Sequence, residues 1–135
     1  MLSDDQHLAP SPLKVLIASG RVVTRSALRS LIDSEPGLRA VGVAGDLPTA
    51  IRMIRSTAPD VVLVDRSVLG GVGFNRLAVL TAEFPDAAVF LVGMGDHPAI
   101  ATHAQQAGGA GYIRLDEAPE RLSAMLPSPP TTSAA

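Results

Sequence analysis

The stretch Pro59–Asp65, PDVVLVD, decides the fold. Its core, VVLV, is an unbroken apolar run of mostly β-branched residues, too short for a helix and without the alternation of a strand that faces water on one side. Such a run reads as a strand covered on both faces, the signature of a parallel sheet between layers of helices. The run ends on a carboxylate, Asp65, and open parallel sheets bind their ligands beyond the carboxyl ends of the strands.

Working outward, the same kind of run recurs at Lys14–Ala18, Leu38–Val43, Ala88–Val92 and Gly111–Arg114. Val61–Asp65 and Ala88–Val92 lack internal polar residues and are expected to be the most buried. Between the runs, apolar residues recur at spacings of three and four: Ala27, Leu28, Leu31 and Ile32; then Ile51, Ile54 and Ala58; Phe74, Leu77, Thr81 and Phe84; Ile100, Ala104 and Ala107; and Leu122 with Met125. Each set gives a helix one buried stripe. Strands alternating with helices predict an α/β domain. Asp46 before Pro48, Asp96 before Pro98, and Asp116 with Glu117 before Pro119 mark helix starts, since a carboxylate meets unpaired N–H groups and proline suits the first turn. Gly108 marks a helix stop.

The chain has 135 residues, 47% of them apolar and 18% charged, which suits one domain with an ordinary core. A net charge of -2 supplies no basic field for a phosphate backbone, so DNA contact must come from outside this segment. There is no cysteine, which excludes disulfides, thiolate metal sites and thiol catalysis. Residues 1–11 read as a flexible tail, neither signal peptide nor anchor. No run approaches the roughly 20 apolar residues of a membrane span. A soluble, cytoplasmic protein with no membrane partner is expected.

VLIASGRVVTRSAL, PDVVLVDRSVLGGVGF, AAVFLVGMGD and AGGAGYIRLDEAPERL together resemble the receiver domain of bacterial two-component response regulators, of the NarL/LuxR type, over about residues 12–126. The resemblance implies a flavodoxin-like (βα)5 three-layer sandwich with a five-stranded parallel sheet in the order 2-1-3-4-5. It also implies a phosphorelay pocket: an acid pair that holds Mg²⁺ after the first strand, a phosphoacceptor Asp after the third, a Ser or Thr after the fourth and a Lys after the fifth. Here the acid pair is replaced by Ser19 and Gly20, the acceptor position keeps Asp65, the hydroxyl position is Gly93 and the Lys position is Leu115. Arg114 is adjacent, but alternation along a strand should turn it to the other face.

The expectation is therefore a degenerate, atypical receiver in signal transduction, not an enzyme, with Asp65 vestigial, Mg²⁺ binding weak or absent and no other cofactor or metal. Arg21 is a possible partner for Asp65. Tyr112 holds the position of a switch aromatic, which Gly93 should uncouple from the loop after the fourth strand. His97 and His103 read as surface residues, and Gly70, Gly71 and Gly73 as turn glycines. Residues 127–135 read as a linker or disordered tail, so the chain is read as part of a longer transcription regulator. It is expected to form a homodimer and to reach DNA through a C-terminal output domain not present in this chain. Rival readings are an active phospho-Asp65 receiver, a pseudo-receiver that senses a small molecule, and a stand-alone adaptor for a protein effector.

Overall fold

A computed structural model describes residues 11–70, 74–95, 97–116 and 124. Strands β1 (Leu13–Ala18), β2 (Leu38–Ala44), β3 (Val61–Asp65), β4 (Ala88–Gly93) and β5 (Gly111–Arg114) alternate with helices α1 (Val22–Asp33), α2 (Leu47–Thr57), α3 (Phe74–Glu83) and α4 (Pro98–Gln106). All pairings are parallel, in the order β2-β1-β3-β4-β5. This is the flavodoxin-like order, and strand order reverses between β1 and β3. The fifth helix expected around Leu122 and Met125, the caps expected at Asp96 and Glu117, Gly71 and Gly73, and both tails apart from Ser11 lie outside the described residues.

Alternation along the strands divides the core. Leu16, Val62, Val64 and Leu91 pack with Ala50, Ile54, Leu77, Leu80 and Ala104 of α2, α3 and α4. Val15, Ile17, Leu63 and Val92 pack on the other face with Leu28 and Ile32 of α1. Every residue of β3 is buried, as the PDVVLVD reading requires, but β1 is buried as thoroughly as β4 despite Lys14. A lysine is tolerated at that position because its Nζ reaches the Thr57 carbonyl at 2.9 Å. Each fully buried Leu or Ile contributes about 1.5–3 kcal/mol of transfer free energy. In β2, Gly42 leaves room that a side chain would contest, since a Cβ there would lie 2.7 Å from Leu16 Cδ1.

Asp46 caps α2 as its sequence predicts, accepting the Thr49 N–H at 2.8 Å. That bond holds the Asp46 carboxyl below the ordinary aspartate range. Because the folded-state value is depressed, the stabilisation is present above the unfolded value and lost as pH falls through the folded one. The first turn of α2 should therefore fray below about pH 4, seen as a shift of the Thr49 amide resonance. A Thr49 amide indifferent to acid would contradict the cap.

Candidate functional site

Ser19 follows β1 and Asp65 ends β3, so the fold brings together two side chains that are 46 positions apart. Asp65 is only 8% exposed and Ser19 is fully buried. A carboxylate so enclosed needs donors. Ser19 Oγ donates to Asp65 Oδ2 at 2.8 Å, and Ser67 Oγ donates to the same oxygen at 3.1 Å. Both hydroxyls are themselves held, because Ser19 Oγ accepts the Arg21 N–H at 3.1 Å and Ser67 Oγ accepts the Gly20 N–H at 2.8 Å. Arg25 Nη1 donates to the Ser19 carbonyl at 2.8 Å and fixes the loop further. Asp65 is thus the centre of a closed hydrogen-bond arrangement joining the β1–α1 loop to the turn after β3.

Two expectations need correction. Arg21 lines the same cleft as Asp65, yet among the described residues the ion pairs join Arg29 to Asp33, Arg55 to Glu83 and Arg114 to Asp116, and none joins Arg21 to Asp65. The serines take its place because short hydroxyls on the adjoining backbone reach the buried oxygen at less entropic cost than a long cation. Second, Gly93 does not part Tyr112 from the loop after β4. The Tyr112 hydroxyl donates toward the carbonyls of Met94 (3.3 Å) and Gly95 (3.2 Å). A Cβ at Gly93 would stand 2.7 Å from that hydroxyl, so the missing side chain makes room for the tyrosine. His97 and His103 are exposed, as expected, and His97 meets the Tyr112 ring edge-on with centroids 6.3 Å apart.

Leu115 packs against the apolar cluster under α1 and is absent from the lining of the cleft. Arg114 also stays off the cleft, bonding Asp116 at 2.6 Å. Asp116 in turn accepts the Gly95 N–H at 3.0 Å, and these bonds, Arg114 first, hold its carboxyl far below the ordinary range. Tyr112 and Asp116 therefore both tie the β4–α4 loop to the end of β5.

Above Asp65 opens a cleft of about 590 Å³, lined by Arg21, Arg66, Ser67, Gly70, Val92, Gly93, Met94, His97, Ile100 and Tyr112. Ser67 and Arg66 carry no motif of their own, although Ser67 stands two residues past Asp65, where a backbone N–H commonly bonds an Asp side chain in a turn, as the Ser67 N–H meets Asp65 Oδ1 at 3.5 Å.

A family model described as the response regulator receiver domain matches residues 15–127. The chain belongs to this family. The receiver is 29% identical over 112 residues to the nitrate/nitrite response regulator protein NarP of Escherichia coli, covering 83% of this chain and 52% of that protein. To the E. coli response regulator UvrY it is 25% identical over 116 residues, covering 86% and 53%. The signal receiver domain of the putative response regulator NarL from Mycobacterium tuberculosis superposes with a TM-score of 0.73 at 25% identity, covering 86% of this chain and 98% of that one. The receiver is accordingly of the NarL/LuxR type, and it spans about half the length of the curated relatives it matches. Among the described residues no helix is long and apolar enough to cross a membrane.

Proposed function

We propose that this receiver is the regulatory and dimerising module, residues 12–126, of a longer transcription regulator, and that it works without Mg²⁺-dependent phosphorylation of Asp65. The observation that carries this reading is the closed Ser19–Asp65–Ser67 arrangement: one oxygen of the carboxylate that would attack a phosphoryl group already accepts two hydroxyl protons. Nor do the side chains present suit Mg²⁺, which takes near-octahedral oxygens and commonly one or two carboxylates. Beside Asp65 stand a buried hydroxyl and Gly20, and among the described residues no group of three acid, histidine or cysteine side chains gathers. Phosphoryl transfer rests almost wholly on positioning and charge neutralisation. Gly93 offers no hydroxyl and Leu115 no cation. Removing one such donor commonly costs about 10²–10³ in rate, and several cost more.

The shift between active and resting states then depends on intrinsic pairing affinity or on a bound effector with different affinity for the two states. DNA binding would belong to an output domain beyond residues 127–135.

Substitution at Asp65 tests the reading. Asp65→Asn keeps an acceptor for Ser19 and should leave the melting temperature, dimerisation and promoter control of the longer regulator near wild type. Asp65→Ala strands a buried hydroxyl and should cost about 1–3 kcal/mol in stability, again with promoter control retained while the domain stays folded. Loss of regulation in a folded Asp65→Asn protein would refute the proposal.

A further inference from the structure

We infer that the cleft above Asp65 binds a small organic anion with a flat apolar body, the acidic group meeting Arg21 and Arg66 and the body lying against Met94, His97, Ile100 and Tyr112. The inference rests on the reading that Asp65 stays unphosphorylated, since a phosphoryl group there would occupy the same space and charge.

Position comes first. The cleft lies beyond the carboxyl ends of β3 and β4 and beside the β1–β3 reversal of strand order, where open α/β sheets place their ligands, and its volume of about 590 Å³ suits a small molecule. Charge follows. Arg21 and Arg66 both line the cleft, and neither guanidinium has a hydrogen-bond or ion-pair partner among the described residues. Arg29, Arg55 and Arg114 pair with acids and Arg25 holds the Ser19 carbonyl, whereas Arg39 and Arg76, like the two cleft arginines, have no such partner among the described residues but do not line the cleft. Among the described residues Asp65 is the one acid in the lining, and it is buried and bonded to its serines, so the two arginines outnumber it there. Forked guanidinium groups match carboxylate or phosphate oxygens in pairs.

The facing wall supplies the apolar half. Met94 is 61% exposed, although it lines a concavity and not the core. Beside it the Tyr112 ring is pinned by the Met94 and Gly95 carbonyls and abutted by His97, which makes a preformed aromatic wall. Gly93 is what allows the ring to stand there. Aromatic edges on one side and unpaired guanidinium groups on the other select an anion with a planar body.

Naphthoate, naphthyl phosphate and neutral naphthamide serve as probes, read by amide proton–nitrogen NMR of the whole chain. Both anions should produce saturable shifts at Arg66, Ser67, Gly93, Gly95 and Tyr112 with a dissociation constant on the order of 1 mM or tighter. Naphthamide, or the Arg21→Gln/Arg66→Gln protein with either anion, should bind about tenfold more weakly or worse. Inorganic phosphate matching the organic anions would remove the role of the aromatic wall. Equal binding of naphthamide, undiminished binding by the double variant, shifts scattered elsewhere, or no shifts at all would overturn the site. A beryllofluoride arm separates the two readings: beryllofluoride with Mg²⁺ moving the Asp65 region would refute phosphorylation independence, whatever the naphthyl probes do.

Discussion

Ser19→Asp should lower the stability of the Mg²⁺-free receiver by about 2–3 kcal/mol at neutral pH. In the wild type a fully buried hydroxyl donates to Asp65 across 2.8 Å. The substitution removes that donor and sets a second carboxylate against the first, where like charges raise the proton affinity of the pair. With the folded-state value raised, the penalty is full above it and is relieved as pH falls and one proton is shared. Mg²⁺ should restore part of the loss in Ser19→Asp and in Ser19→Asp/Gly20→Asp, since binding at ten times the dissociation constant contributes about 1.4 kcal/mol. Thermal unfolding with and without MgCl₂ measures both effects, and the wild type should barely respond. A wild-type melting temperature that rises clearly with Mg²⁺ and loses the rise in Asp65→Asn would mean that a metal site survives.

Gly93→Thr should cost about 1–3 kcal/mol and expel the Tyr112 ring from its seat. An added Cβ would lie 2.7 Å from the Tyr112 hydroxyl and 3.2 Å from Cε1. The ring cannot stay, and leaving forfeits its bonds to the Met94 and Gly95 carbonyls. Tyr112 is the chain's single tyrosine and there is no tryptophan, so intrinsic fluorescence reports this ring alone. Its emission should change in Gly93→Thr, and the penalty should shrink when Tyr112→Ala is combined with it, because the two sites share one space. Simple addition of the two costs would show that the ring and position 93 do not compete.

These contacts mark where the sequence was legible. PDVVLVD announced a doubly covered strand because burial on both faces leaves a local record, an unbroken apolar run, whereas β5 matched its expected bounds although it is an edge strand with every other residue buried. Asp46 was readable because a cap and the N–H that donates to it lie three residues apart. The site was legible only in position. Asp65, Ser19, Gly93 and Tyr112 were singled out, but their contacts span up to 46 positions and no periodicity encodes them. Ser67 and Arg66 went unread because a turn hydroxyl and an exposed arginine look alike in function and in idleness. Gly93 misled for a related reason: a missing side chain reads as a lost contact, whereas in the fold it is the space that another side chain fills.

The most direct test of a phosphorylation-independent receiver is the intact mass of the chain after incubation with acetyl phosphate and Mg²⁺, with Asp65→Asn alongside. The serine-bound Asp65, lacking a second acid, a hydroxyl at Gly93 and a cation at Leu115, should remain unmodified, and the two proteins should give the same spectrum. A phosphoryl adduct carried by most of the wild-type molecules and absent from Asp65→Asn would contradict the account.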